Sequence, residues 1–219
     1  MSSFIQFINW HNDKYPKNQI DIDRVDIKLG VYLPDTIQID QVSKLIEFYD
    51  HKNFLNSRNK TILDFLYSTA CRVSEICTVK ISDIDFEEDF VIVTGKGSKQ
   101  RIIPIGSELK TNLLKYMKVR EDYLNKNINY LFISKNKNPM ERTAIYRIVK
   151  NTALDIGIKE SIHPHTLRHS AATQMLEAGC DLRTLQEFLG HSSVSTTQIY
   201  TKLTKEFLSE VFKESHPRA

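Results

Sequence analysis

The chain has 219 residues, enough for one large domain or two small ones with a substantial core. No apolar run approaches the roughly 20 residues of a membrane-spanning helix, and the N-terminus lacks the basic and apolar segments of a secretory signal. The three cysteines form no paired framework, which favours a reducing, cytoplasmic setting. The composition therefore argues against secreted, membrane-embedded and disulfide-stabilised classes of protein.

The net charge of +3 conceals an uneven distribution along the chain. Residues 1–90 carry 10 Lys and Arg against 15 Asp and Glu, whereas residues 91–150 carry 13 against 4. Residues 151–219 carry 7 against 8. The basic middle segment fits either a solvated lysine-rich surface or a site for a polyanion, and charge alone does not separate the two.

The first part of the sequence predicts helices and a polar linker. Residues 3–15 have apolar side chains at helical spacing and end before a proline, whereas residues 16–38 contain proline and glycine and indicate a linker. Apolar spacing then predicts three helices, over 41–49 with Asp40 as its cap, over 57–70 with Ser57 as its cap, and over 72–79.

The period changes near residue 90. Residues 90–94 and 101–105 are β-branched runs around a Gly-Lys-Gly-Ser-Lys segment and predict a β-hairpin, to which residues 83–89 add a strand or a turn. Apolar spacing then predicts helices over 107–121, 141–156, 165–178, 182–189 and 195–213. We therefore expect a mainly α fold with one small antiparallel β-sheet, in which residues 39–219 form one domain.

The densest group of candidate functional residues lies between His163 and His169. Pro164 suits the first turn of a helix, and His165 and Arg168, three residues apart, share a face near its N-terminus. A guanidinium and an imidazole at a helix N-terminus suit a phosphate. The alternative is a metal site formed by the three histidines, but the arginine among them would repel a cation, so we expect no metal.

Tyr200 is a second candidate. Gly190 is expected to end a helix and to free His191, and Tyr200 follows nine residues later on the next predicted helix. Tyrosine can act as a covalent nucleophile, but its pKa near 10 means that it needs help to lose its proton. A lone helical tyrosine is also an ordinary core or surface residue.

Arg72 and the hairpin provide two further candidates. Arg72 and Glu75 are three residues apart, which by itself indicates an ordinary ion pair within a helix. The hairpin tip carries Lys96, Lys99 and Arg101 but lacks the spacing of a nucleotide-binding P-loop. A flexible basic hairpin is better shaped to reach into a groove of nucleic acid.

Together and in this order, the candidates resemble the active-site set of the tyrosine recombinases, the phage-integrase family. The resemblance spans residues 35–219, and the stretches 189–201 and 216–219 are similar in particular to the bacterial Xer chromosome-dimer recombinases. Ala70 stands where the family commonly has glycine, which we expect to alter only packing. The resembling catalytic residues are Arg72, Lys96, His165, Arg168, His191 and Tyr200.

The resemblance implies that Tyr200 attacks a DNA phosphodiester, forms a 3′-phosphotyrosine and releases a 5′-hydroxyl. Two arginines and His191 stabilise the phosphate charge, His165 assists proton transfer from the tyrosine, and Lys96 protonates the leaving oxygen. Lys99 and Arg101 join Lys96 in binding DNA. The resemblance implies neither a metal nor ATP nor another cofactor.

The resemblance also implies partners. They are double-stranded DNA and further subunits, identical or homologous, in a tetramer on two DNA sites. Exchange of the C-terminal helix would couple the subunits, although its apolar side also fits packing on its own domain. A septal DNA translocase controls many Xer systems.

The family's N-terminal core-binding domain is expected only as a remnant, with its last helix and a linker in residues 1–38. Three functions stay open at this point. They are Xer-type dimer resolution, linked to chromosome partition and cell division; the action of a mobile-element or phage integrase; and DNA binding without full recombination.

Overall fold

The structure, a computed structural model, describes residues 36–124, 128–190 and 202–219 together with Lys14, except for the side chains of Lys96 and of residues 202–204. Apart from Lys14, these residues belong to one compact unit, Pro34–Ala219. Apart from Lys14, the helix predicted over residues 3–15 lies outside the described residues, as does most of the linker. Within the part that is described, no helix has the length and apolar character needed to cross a membrane.

Helices dominate the described residues, and a three-stranded antiparallel sheet with strand order β1-β2-β3 accompanies them. The predicted fold class is therefore confirmed. The strands are β1 (Ile84–Asp85), β2 (Phe90–Thr94) and β3 (Gln100–Pro104). The helices are α1 (Ile39–Glu47), α2 (Phe54–Ser68), α3 (Val73–Ile76), α4 (Ser107–Tyr123), α5 (Arg142–Asp155), α6 (Pro164–Glu177), α7 (Leu182–Leu189) and α8 (Lys202–Ser215).

Two predicted helix caps are wrong. Asn53 rather than Ser57 caps α2, where its side chain accepts a main-chain hydrogen bond from the first turn. The Ser57 hydroxyl instead lies 2.7 Å from the Nδ1 atom of His51. Asp40 lies inside the first turn of α1, because that helix already begins after Gln38. In both cases the apolar spacing located the helix but not its first residue.

Helix α2 forms the centre of the core. Its residues Ile62, Leu63, Phe65 and Leu66 are fully buried, and α1, α4 and α6 pack against it. Every residue of α2 from Thr61 to Ser68 is buried, including the polar Asp64. Because this second half of α2 is enclosed on all sides, it fixes the position of the short segment that follows it, which carries Arg72.

The β2–β3 hairpin has one buried face. Val93 pairs with Arg101, and Val91 pairs with Ile103. Side chains that pair directly across two strands point to the same face of the sheet. Because the two valines and Ile103 are fully buried, this register also turns Arg101 inward, where it is 6% exposed.

The C-terminal segment is anchored on its own domain. Phe212 of α8 is buried near Phe188, with ring centroids 6.1 Å apart. Beyond the helix, the Arg218 guanidinium donates to both oxygens of the fully buried Asp64 carboxylate, at 2.8 and 3.2 Å. The described structure thus has α8 packed within the chain, and its exchange between subunits stays a prediction.

Candidate active site

Arg72 lies at the point where the chain leaves the core and enters the single turn of α3. Its main-chain N–H donates to Glu75 Oε2 at 2.7 Å, and its guanidinium donates to Glu75 Oε1 at 3.0 Å. The expected ion pair is therefore present, but it is not an ordinary surface pair. Glu75 is 1% exposed, and Arg101 donates to both of its carboxylate oxygens at 2.7 and 2.9 Å.

Helix α6 supplies the next two candidates from its first turns. His163 caps this helix, since its Nδ1 atom accepts from the Thr166 main-chain N–H at 3.3 Å. Pro164 follows at the first helical position, as the sequence predicts. His165 is exposed, and Arg168, one turn further, is half-buried. His163 thus has a local structural role, while His165 and Arg168 lie on the face that the spacing predicts.

Three arginines converge on the C-terminal end of α7. Arg101 Nε donates to the carbonyl of Phe188 at 3.0 Å, and Arg168 Nη2 donates to the carbonyl of Leu189 at 2.8 Å. Arg72 Nη2 approaches the carbonyl of the next residue, Gly190, at 3.5 Å. Carbonyls at a helix C-terminus carry partial negative charge and attract cations. The helix end that leads directly into residue 191 is thereby fixed to α6, α3 and β3.

The electrostatics of this cluster are dominated by positive charge. Burial, together with the charges of Arg72 and Arg101, lowers the pKa of Arg168 to about 10. Although His165 is largely exposed, the partial burial of its ring lowers its pKa, as do the neighbouring His163, Arg168 and Arg72. Because like charges oppose one another here, an anion bound among them would be strongly stabilised.

The structure brings together Arg72, His165 and Arg168. His191 and Tyr200 lie outside the described residues, as does the side chain of Lys96, so their predicted roles stay predictions. The main chain of Lys96–Ser98 forms a tight turn at the hairpin tip. Lys99 beside it is exposed, as a DNA-binding residue requires.

Arg101 does not lie where the sequence reasoning expected it. The sequence places it with the exposed lysines of the hairpin, but its side chain enters the interior and donates to Glu75 and to the carbonyl of Phe188. The strand alternation, which puts Arg101 on the same face as Ile103, is the signal that could have found this. Glu75, which accepts hydrogen bonds from both Arg101 and Arg72, is a site residue that the sequence reasoning did not include.

Ala70 corrects a second expectation. Its φ angle is 44°, in the left-handed region, and its carbonyl accepts a hydrogen bond from Arg168 Nη1 at 2.5 Å. Glycine adopts that conformation at no steric cost, whereas alanine is strained in it. The exchange of glycine for alanine therefore changes backbone energy and not only packing.

The mainly helical fold and the arginine-rich site together define a class of protein. Comparison with known proteins identifies that class. Residues 35–206 match the phage integrase family, and the chain belongs to this family. It is 41% identical over 189 residues to the tyrosine recombinase XerD of Staphylococcus saprophyticus, covering 85% of this chain and 64% of that protein. The corresponding protein of Oceanobacillus iheyensis is 43% identical over 190 residues, with the same coverage of 85% and 64%. The chain thus spans about 64% of the length of these curated relatives.

Solved structures agree with this assignment. The crystal structure of XerA recombinase superposes with a TM-score of 0.68 at 30% identity, covering 100% of this chain and 78% of that one. A post-cleavage complex of the XerH site-specific recombinase with a palindromic difH substrate gives a TM-score of 0.69. Because the second match has only 23% identity over 95% of this chain and 64% of that one, it supports the fold alone.

Proposed function

We propose that this chain is a site-specific DNA recombinase that cuts and rejoins double-stranded DNA through a 3′-phosphotyrosine intermediate. The observation that carries the proposal is the convergence of Arg72 and Arg168 at the end of α7, with His165 in the first turn of α6 close to both. A phosphodiester needs such a group of donors, because its five-coordinate transition state carries more negative charge than its ground state.

The charge balance of the site supports a phosphate as ligand. The Glu75 carboxylate faces Arg72 and Arg101, and the neighbouring Arg168 donates to main-chain carbonyls instead. Positive charge therefore exceeds negative charge among these four side chains. Burial, and after it the repulsion by Arg72 and Arg101, lowers the pKa of Arg168, and a phosphate placed among the guanidinium groups relieves that repulsion.

The proposed reaction has one bond formed and one broken in each direction. The Tyr200 oxygen bonds to phosphorus as the bond from phosphorus to the 5′-oxygen breaks. The tyrosine proton passes to His165, and Lys96 supplies a proton to the leaving 5′-oxygen. Arg72 and Arg168 hold the nonbridging oxygens, together with His191. Attack by a 5′-hydroxyl on the phosphotyrosine reverses these steps and rejoins the strand.

The proposed biological role is Xer-type resolution of chromosome dimers. The identity of about 41% to XerD proteins supports it over a mobile-element integrase. In this proposal the basic hairpin, with Lys96 and Lys99 at its tip, contacts DNA phosphates. The same role entails a tetramer on two DNA sites, coupling through α8 and control by a septal DNA translocase. Residues 1–38 would contribute the end of a DNA-binding domain.

A nicked suicide DNA substrate tests the chemistry. Cleavage beside the nick releases a short fragment, so the covalent adduct accumulates and resists SDS. The wild type is expected to form this adduct in the presence of EDTA, and Tyr200→Phe is expected to form none. If the wild type binds DNA but yields no adduct, the chain is a DNA-binding module and the proposal is wrong.

Selection of bound fragments from genomic DNA tests the role. A single palindrome-like chromosomal site supports dimer resolution. Recovery of the ends of a mobile element would instead assign the chain to the integrases.

A further inference from the structure

We infer that Arg101 is a positioning residue for strand cleavage, which holds Arg72 and the turn at Gly190 in place from inside the protein. This inference rests on the proposed function, since it concerns the same site. It assigns to Arg101 a role different from the DNA contact that its position in a basic hairpin suggests.

The first argument is the set of elements that one guanidinium joins. Two nitrogens of Arg101 donate to the two oxygens of Glu75, at 2.7 and 2.9 Å, and its Nε donates to the carbonyl of Phe188 at 3.0 Å. Strand β3, helix α3 and the end of α7 therefore meet at a single side chain. Its 6% exposure shields these bonds from water, which strengthens them.

The second argument is a direct contact with the turn that precedes residue 191. Gly190 has a φ of 67°, and a Cβ atom added to it would lie 2.9 Å from Arg101 Cδ and 3.1 Å from one of its terminal nitrogens. The Arg101 side chain thus packs directly against Gly190. A displacement of that side chain would therefore allow the turn at Gly190 to move.

The third argument concerns the orientation of Arg72. Glu75 Oε1 accepts from both Arg72 and Arg101, so the carboxylate charge is shared between two guanidinium groups. Without Arg101, the buried carboxylate would have Arg72 as its remaining charged partner and would draw it inward. Sharing the charge leaves Arg72, whose side chain is 36% exposed, able to face a phosphate.

The test compares variants of the full chain on the suicide substrate. Arg101→Met is expected to lower the single-turnover cleavage rate at saturating DNA by about 100-fold, the cost of a small misplacement of catalytic groups. The Kd for intact DNA should change little, because Arg101 does not face the DNA. Arg101→Lys keeps the charge but cannot donate to both oxygens of Glu75 at once. Its cleavage rate should therefore fall between those of the wild type and Arg101→Met.

Arg120 provides a matched control. It is also a buried arginine, 5% exposed, and it donates to the main-chain carbonyls of Leu131, Ile128 and Tyr130. Arg120→Met should therefore reduce stability as Arg101→Met does, while the folded protein cleaves at the wild-type rate. Rates are compared at a temperature where circular dichroism shows each variant folded. If Arg101→Met does not fold, Arg101→Lys against Arg120→Lys gives the comparison.

The outcomes separate the inference from the proposed function. If the wild type forms no adduct, the proposed function fails and the inference fails with it. If the wild type forms the adduct and both Arg101 variants cleave at its rate, only the inference is overturned. A loss that appears in Kd and in the salt dependence of binding, with an unchanged rate at saturation, also overturns it, since that pattern marks a direct DNA contact.

Discussion

Arg168 donates a hydrogen bond to the main-chain carbonyl of Ala70, a residue held at a φ of 44°. The strained residue lies between the end of the central helix α2 and Arg72. Two arginines of the site are therefore coupled through one unusual piece of backbone. Because the end of α2 is buried, Ala70 lies where the chain passes from the core to the partly exposed Arg72.

Replacement of Ala70 by glycine should leave the free energy of unfolding within about 0.5 kcal/mol of the wild type. The left-handed conformation costs alanine about 1–2 kcal/mol. Relief of this strain in Ala70→Gly offsets two costs. They are about 0.8 kcal/mol for the lost burial of a methyl group and about 0.5–1 kcal/mol for the greater chain entropy of glycine. Urea unfolding measures the difference.

Ala171 is the control for this substitution. It is also fully buried, but it lies inside α6, where alanine is unstrained. Ala171→Gly should therefore cost about 2 kcal/mol, from the lost methyl group and the poorer helix propensity. Equal losses for the two variants would show that the backbone strain at Ala70 has no energetic weight.

Gly190 should be far less tolerant of alanine than Gly157, although both have positive φ angles, of 67° and 80°. At Gly157 nothing lies within 4 Å of an added Cβ, so Gly157→Ala should cost about 1 kcal/mol for the conformation alone. Gly190→Ala adds a contact with Arg101, which is held by its own hydrogen bonds, and should exceed that cost by about 1–3 kcal/mol. Thermal unfolding of the pair measures the difference; similar melting temperatures would mean that the contact relaxes freely.

The sequence predicted the fold class and the hairpin, because both depend on local periodicity. It also predicted that His165 and Arg168 share a face, since their spacing fixes this once the helix is assigned. It did not predict the inward turn of Arg101, because a basic residue in a basic segment suggests solvent unless its buried partner is known. That partner, Glu75, lies 26 residues away in sequence.

The anchoring of the C-terminal segment through Arg218 could not be predicted from the sequence either. Arg218 and Asp64 are 154 positions apart, and nothing in either local pattern marks them as a pair. The φ of Ala70 was also beyond the sequence, since alanine gives no sign of a left-handed conformation. Such features depend on tertiary packing, and they are concentrated around the candidate site and the chain end.

Arg218→Met should lower the free energy of unfolding by about 3 kcal/mol, because it leaves the buried Asp64 carboxylate without its charged partner. The side chains of Asn112 and Ser68 still donate to Asp64, at 2.6 and 2.9 Å, and limit the loss. Urea unfolding at neutral pH measures the effect.

An exposed pair serves as the comparison for Arg218. The side chains of Lys44 and Asp40 are 69% and 67% exposed, and Lys44→Met should change stability by less than about 0.5 kcal/mol. A loss for Arg218→Met as small as that would show that the C-terminal anchor contributes little to the folded domain.

His216 should make the protein less stable in acid. It is 4% exposed and stacks on Phe212 with ring centroids 4.6 Å apart, and burial lowers its pKa to about 3. The unfolded chain binds this proton below about pH 6.5, whereas the folded chain does not. The neutral His216 side chain therefore makes its full contribution to the free energy of unfolding above that pH. This contribution is lost at up to about 1.4 kcal/mol per pH unit as the pH falls towards 3.

Replacement by a ring that does not titrate isolates this effect. The stability of the wild type relative to His216→Phe should decline between pH 7 and pH 4.5 in urea unfolding experiments. A difference between the two proteins that stays constant over this range would show that His216 does not remain neutral in the folded state.

The cleavage reaction should keep its rate to a lower pH than an ordinary histidine would allow. Burial lowers the pKa of His165, and His163, Arg168 and Arg72 add to this, so the imidazole stays neutral and able to accept the Tyr200 proton. The acid limb of kcat/KM for adduct formation should therefore have its midpoint below about 6.5. His163→Asn keeps a helix-capping side chain but removes one of the groups that lower the pKa of His165, so the midpoint should move upward. An acid limb above about 6.5, or one that His163→Asn leaves in place, would mean that another group accepts the proton.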